Sequence, residues 1–268
     1  MRSYLNYFKL RFITNLQYRA AALAGISTQI FFGLVFIMVY LAFYESNGSA
    51  NYPMEWNSLV SYIWLNQAFY ALVYPFERDQ ELLEMIKNGN LAYELIRPQN
   101  FFSKFYIKML AKKVVSTMLR CIPVIIIAFL LPEPIRLTMP LTFSHFILFI
   151  FSILTSCLLV SSLIITVHLI TMFTLDSRGI LSIYSVICEV FSGGTIPIPF
   201  FPNWLKDITY LLPFRYIADF PFRIYSGDIP LNEGMYLLLQ SFIWIIVTFI
   251  IGQIISKFAL RKAVIQGG

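Results

Sequence analysis

The chain has 268 residues, of which 58% are hydrophobic and only 13% charged, and its mean hydropathy is +0.71. Soluble globular domains average roughly 45–50% apolar and about 25% charged residues, so this composition excludes a soluble domain with a well-solvated surface. The net charge of +6 does not indicate a nucleic-acid ligand, because the basic residues lie between apolar runs, where they suit lipid headgroups. We therefore predict a single membrane domain over residues 1–268.

The residues before the first apolar run have the spacing of an amphipathic helix. Leu5, Phe8, Phe12 and Leu16 recur at helical intervals, while the basic residues of this segment occupy other positions. Such a pattern is typical of a helix that lies in the membrane interface. We expect an interfacial helix over residues 1–19.

Six apolar runs follow, each long enough to cross or nearly cross a hydrocarbon core of about 30 Å. They are Ala20–Tyr44, Leu59–Phe76, Val114–Leu131, Phe143–Thr171, Ile180–Ile196 and Met235–Ile255. We therefore predict an all-α integral membrane protein with six transmembrane helices. With the amino terminus inside, fifteen Lys and Arg residues fall on the cytoplasmic side and four outside, while Arg120 lies inside the third run. The positive-inside rule then places both termini in the cytoplasm.

The longest cytoplasmic connection covers residues 77–113 and contains two predicted helices. ERDQELLEMIKNGN is rich in helix formers and charge, and Asn88 to Asn90 supply a stop, so we expect a short charged helix projecting from the membrane. After it, Lys104, Lys108 and Lys112 share one helical face, which predicts a second helix lying along the headgroups. A structured connection of this length indicates a function beyond that of a plain solvated loop, and docking of a cytoplasmic partner is the sharper hypothesis.

The fifth run is interrupted near its outer end. Gly193 and Gly194 loosen the helix, and Pro197, Pro199 and Pro202 remove backbone donors. Irregular backbone at membrane depth is tolerated only where protein or water satisfies its polar groups. We expect a broken fifth span, with a re-entrant and extracellular segment over residues 192–234.

Few polar side chains lie within the apolar runs. Glu189 precedes the break and is predicted either to cap the freed backbone donors or to contact cargo, and these two roles are equally favoured. Asn66 and Gln67 lie in the second run, where interhelical hydrogen bonding is the commoner role.

Catalytic and metal-binding motifs are absent from the sequence. It contains no GxxxxGK[ST], GxGxxG, HExxH or GxSxG motif, and its three cysteines lie in apolar runs. The chain is therefore predicted to be a non-catalytic component without a metal or cofactor of its own, and any nucleotide energy must come from another chain. A lipid-modifying membrane enzyme and an ion-coupled carrier remain as alternatives.

Two segments carry a resemblance to a known family. The segment IKNGNLAYELIRPQN between spans two and three, and SGGTIPIPFFPNWL followed by LLPF, stand in the same order within the same predicted topology as in one family. In these features the chain resembles the permease subunits of type 2 ABC exporters, in particular a small six-span bacterial subgroup.

The resemblance implies a fold, partners and a set of site residues. Two copies of this chain, or a pair of related permeases, would sit in the bacterial cytoplasmic membrane with two ABC ATP-binding subunits that bind ATP and Mg. The helix after span two would dock on the ATPase, with contacts from Glu77, Arg78, Asp79, Glu81, Glu84 and Lys87. Spans one, two and five would line the route of an amphipathic compound, lipid or peptide, near Asn66, Gln67 and Glu189.

Overall fold

The computed structural model describes residues 2–17, 19–46, 52–75, 77–87, 94, 99–174 and 177–262. Within these ranges the chain is helical and has no β-strand, which confirms the prediction of an all-α protein. The helices are α1 Arg2–Asn15, α2 Arg19–Ser46, α3 Trp56–Ala68, α4 Tyr70–Val73, α5 Gln80–Lys87, α6 Phe101–Leu130, α7 Phe143–Ile170, α8 Ser177–Phe191, α9 Asn203–Leu211, α10 Asp219–Ser226 and α11 Leu231–Lys262.

Four helices, α2, α6, α7 and α11, are long and apolar enough to cross a membrane. The segments predicted as the second and fifth spans contain shorter helices. A turn at Phe69 separates α3 from α4, and α8 ends at Phe191 after 15 residues. The structure therefore supports a multi-pass membrane protein, and the count of six spans stays a prediction.

The short helix α3 lies at the centre of the bundle. Every residue from Ser58 to Ala68 is buried, and the helix packs against α2, α6 and α10. Gly33 permits the close approach of α2, because a Cβ at this position would lie 2.7 Å from a ring carbon of Trp64. The two long helices α7 and α11 pack extensively against each other on the far side of the bundle. This arrangement surrounds the polar residues of α3 with protein.

The two ends of the bundle are formed by different segments. At one end, the start of α3 meets the α6–α7 linker, where Trp56 Nε1 donates to the carbonyl of Pro134 at 2.9 Å. At the other end, α1, α5, the first turns of α6 and the last turns of α11 come together. There, Asn100 Nδ2 donates to Gln253 Oε1 at 2.9 Å. We call this second end the basic end, because the lysines of α6 lie in it.

The helix predicted to lead into the third span is continuous with that span, but its lysines do not face the headgroups as predicted. One continuous helix, α6, runs from Phe101 to Leu130 and contains both predicted segments. Lys104 is 4% exposed and pairs with Glu94, and Lys108 also turns inward. The lysine row faces carboxylates of the preceding segment instead of lipid headgroups, and sequence spacing alone does not reveal these partners.

Candidate functional site

The predicted docking segment forms a short helix at the basic end. Helix α5 covers eight residues, and its apolar anchor Leu82 is fully buried. Glu84 and Lys87 are exposed on α5, and Arg78 is exposed just before the helix begins. The predicted stop at Asn88, and most of the IKNGNLAYELIRPQN segment, lie outside the described residues.

Two of the predicted docking acids form ion pairs within the chain. Glu81 accepts from Arg11 Nη2 of α1 at 3.0 Å and from Lys108 Nζ of α6 at 2.6 Å. Lys108 Nζ also donates to Asp79 at 2.7 Å, and the Asp79 carboxylate accepts from the backbone N–H of Leu82 at 3.1 Å. These contacts join α1, α5 and α6 into one assembly, which we call the three-helix clamp.

Glu77 belongs to a second, more deeply buried group. It pairs with Lys112 and lies 3.7 Å from Lys113 Nζ. Lys113 is fully buried, and its ammonium also donates to the carbonyls of Ala71 at 3.0 Å and Tyr74 at 2.7 Å. Lys113 therefore fixes the chain where it leaves α4 and turns towards α5.

The electrostatics of these carboxylates follow from their partners. Burial acts to raise the pKa of Glu77, but the charges of Lys113 and Lys112 outweigh it and hold that pKa below its usual range. Burial likewise opposes ionisation of Glu81, and Lys108 and Arg11 hold its pKa low. Because the folded pKa values are depressed, the ion pairs persist through neutral pH and are lost as the pH falls through those values.

His168 supplies a further anchor, in keeping with the interhelical hydrogen bonding that its place in an apolar run predicts. Its Nε2 accepts from the backbone N–H of Asp79 at 3.0 Å, and its Nδ1 lies 2.7 Å from the carbonyl of Ile164. A carbonyl partner requires the proton on Nδ1, so these two bonds together select the neutral tautomer. The end of α7 thus holds the start of the docking segment.

A second candidate region lies where α8 ends. Gly193 has a φ of +80°, in the left-handed region, and the backbone N–H groups of Gly193 and Gly194 bond to the carbonyls of Val190 and Glu189 at 3.1 Å. Two side chains of α3 donate hydrogen bonds to the carbonyls of this turn. Tyr62 donates its hydroxyl to the carbonyl of Gly193 at 2.8 Å, and Asn66 Nδ2 donates to that of Gly194 at 2.5 Å.

The prolines of the predicted break mark the starts of new elements. Pro197 precedes a 3₁₀ turn over Ile198–Phe200, within which Pro199 is buried. Pro202 is the residue before the first turn of α9. A proline suits such positions because its missing N–H has no helical partner there in any case.

A shallow cleft lies between α2, α3 and this broken segment. It contains two of the three residues predicted for a cargo path, Asn66 and Gln67, while aromatic side chains that the sequence did not single out complete its wall. The lining is Phe36, Tyr40, Tyr62, Ile63, Asn66, Gln67, Gly194, Thr195 and Pro197. Aromatic surface with a few amides is the chemistry expected for an uncharged or amphipathic ligand.

Glu189, the third predicted path residue, lies beside the cleft and does not line it. Its Oε1 accepts from the Thr195 hydroxyl at 3.3 Å. The backbone N–H groups of Ser192, Gly193 and Gly194 are bonded to carbonyls of α8 and not to this carboxylate.

Comparison with known protein families gives a match over most of the chain. A family model described as ABC-2 family transporter protein matches residues 30–267, whereas no curated protein matches the chain. The matched range begins within α2, so it includes the docking helix α5 and the cleft, while α1 precedes it.

Proposed function

Because the chain belongs to the ABC-2 family of transporter membrane proteins, we propose that it is the permease subunit of an ATP-driven exporter. It moves an amphipathic compound, lipid or peptide out of the cytoplasm or the inner leaflet. A separate ABC ATP-binding subunit, present in two copies, binds ATP and Mg and hydrolyses the nucleotide. The permease pairs with a second copy of itself or with a related permease in the bacterial cytoplasmic membrane.

Six passages through the membrane, with both termini in the cytoplasm, complete this proposal. The four long helices supply four of them, α3 with α4 supplies the second, and α8 with the segment after it supplies the broken fifth. The basic end then lies in the cytoplasm, in agreement with the positive-inside rule. Helix α1 lies against the inner interface beside it.

The proposal rests mainly on the position of α5, which ion pairs fix against α1 and α6 in a chain of this family. The ion pairs with α1 and α6 hold α5 in place, and Arg78, Glu84 and Lys87 remain exposed for a partner. Movement of a docked ATPase would therefore be transmitted to α6, which reaches the far end of the bundle. In this arrangement, Glu77, Asp79 and Glu81 position the docking helix, and only Glu81 is itself exposed.

Docking is tested by reversing one exposed charge. In membranes that also contain the partner ATP-binding subunit, Glu84→Lys is expected to weaken co-purification of the two at least about tenfold, or about 1.4 kcal/mol. The matched control is Glu233→Lys, since Glu233 is an exposed glutamate in the first turn of α11. Equal recovery of the ATPase with both variants would contradict docking through α5.

The cleft is tested at Gln67, which lines it and whose side-chain amide makes no hydrogen bond among the described residues. Gln67→Leu keeps the volume and removes the amide, so we expect a shift of about fivefold in resistance to amphipathic toxins. That shift corresponds to about 1 kcal/mol for one hydrogen bond. Melting temperature should not change.

Tyr62→Phe is the contrasting variant, because it removes the bond to Gly193 and should lower the melting temperature. An unchanged resistance profile in Gln67→Leu would argue against cargo contact.

A further inference from the structure

Arg120 is a membrane arginine without a protein partner. It lies in α6, within the stretch that is apolar enough to span a membrane. In the described part of the chain its guanidinium forms no hydrogen bond or ion pair, and its Nε is buried without a partner. A charged side chain in a membrane helix usually pairs with another group or extends to the interface, where a headgroup compensates its charge. No described residue contacts this guanidinium through a hydrogen bond or ion pair, which leaves a place for a partner from outside the chain.

The guanidinium lies in the groove between α6 and α2. It rests against Gly25, where a Cβ would lie only 2.9 Å from Arg120 Cζ. On the same stretch of α6, Met118 and Ile122 are 52% and 56% exposed, so this part of the helix faces lipid in the proposed topology. The groove is thus open to a molecule that arrives from the bilayer.

The depth of the charge agrees with the inner headgroup region. Arg120 follows Lys113 by seven residues, or about 10 Å along the helix. Its long side chain can extend back towards the interface, and it lies close enough to Glu77 to contribute to lowering the pKa of that carboxyl. In the proposed topology, this places the guanidinium near the phosphates of the cytoplasmic leaflet.

We propose that Arg120, seated over Gly25, binds the phosphate group of one phospholipid from the inner leaflet. A guanidinium matches two phosphate oxygens at once, and basic pockets between membrane helices on the cytoplasmic side are suited to lipid headgroups. The acyl chains extend along the exposed apolar face of α6. This lipid supplies the missing counter-charge and fills the groove between α2 and α6.

Native mass spectrometry of the full-length chain in detergent tests the site directly. The delipidated protein is titrated with dioleoylphosphatidylglycerol, dioleoylphosphatidylcholine and dioleoylglycerol, which lacks phosphate. We expect one tightly retained phospholipid per chain and none of the diacylglycerol at the same concentration. Arg120→Gln should weaken this binding about tenfold, whereas Arg120→Lys, which keeps the charge, should weaken it less. Arg136→Gln, at an exposed arginine paired with Glu133, should have no effect.

A second variant keeps the charge of Arg120 and changes the surface at Gly25 against which its guanidinium lies. Gly25→Ala adds a methyl group where the guanidinium lies, so it should weaken lipid binding several-fold without removing the arginine. Equal retention of phospholipid by Arg120→Gln and Arg136→Gln, or equal retention of diacylglycerol and phospholipid, would overturn the proposal. Displacement of the lipid by millimolar inorganic phosphate would assign the site to a soluble phosphate instead. Because the assay contains no ATPase and measures no transport, either result leaves the proposed transport function intact.

Discussion

Replacing Lys113 by methionine is expected to destabilise the purified protein by about 3 kcal/mol, the cost of breaking a buried ion pair. The ammonium of Lys113 is fully buried and bonds the carbonyls of Ala71 and Tyr74. Methionine has a similar volume but no donor, so both carbonyls and part of the Glu77 charge lose their partner. The melting temperature in detergent, followed by intrinsic fluorescence, measures the loss.

The adjacent lysine provides the matched control. Lys112 pairs with the same Glu77, but its side chain is 39% exposed, and exposed pairs are typically worth less than about 1 kcal/mol. Lys112→Met should therefore shift the melting temperature only slightly. The double variant of Lys113→Met with Glu77→Gln should be no less stable than Lys113→Met alone, because the uncompensated carboxylate is gone. Similar losses for the two single lysine variants would show that burial does not decide their contribution.

Sequence patterns predicted the elements of this fold better than the contacts between them. Apolar runs located all four long helices, because burial in lipid imposes a composition that a single segment reveals. The break after Glu189 was also predicted locally, since two glycines and three prolines suffice to end a helix. The early end of α3 at Ala68 was not predicted, because its apolar run continues through the turn at Phe69.

The partners of charged side chains required the tertiary structure. The row of lysines on α6 was interpreted as facing headgroups, although acidic residues at positions 77, 79 and 81 lie within reach of the same helix. Matching these two sets of charges would have indicated the three-helix clamp. No comparable signal identifies His168 as the anchor of Asp79, because the two residues are 89 positions apart and meet only when α7 packs beside α5.

The cleft was predicted in part. Asn66 and Gln67 were singled out because amides are rare in apolar runs, and both line it. Tyr40 and Tyr62 were not, since aromatic residues are common throughout this chain and their positions relative to the cleft depend on how α2 and α3 pack. The broken segment therefore depends on α3 for its hydrogen bonds, and the same helix supplies the amides of the cleft.

The second prediction of a large effect concerns Gly193, whose carbonyl accepts the hydrogen bond from Tyr62. Its φ of +80° costs an L-residue about 1–2 kcal/mol, and a Cβ there would lie 2.6 Å from the Tyr62 hydroxyl oxygen. Gly193→Ala must therefore strain the turn and displace Tyr62 from its hydrogen bond, which adds about 1 kcal/mol. We expect a total loss of about 2–3 kcal/mol, measured as a lower melting temperature.

Gly194→Ala separates this effect from the general loss of a glycine. Gly194 does not have a positive φ, and the nearest atom to its added Cβ is Ser192 Oγ at 3.3 Å, so the loss should stay below about 0.5 kcal/mol. Adding Tyr62→Phe to Gly193→Ala removes the clashing hydroxyl, and the double variant should be less unstable than the sum of the two single variants. Additive losses would mean that the alanine methyl does not meet Tyr62.

A clash at this point would also move Asn66, which is one turn further along α3, so export should fall together with stability in Gly193→Ala.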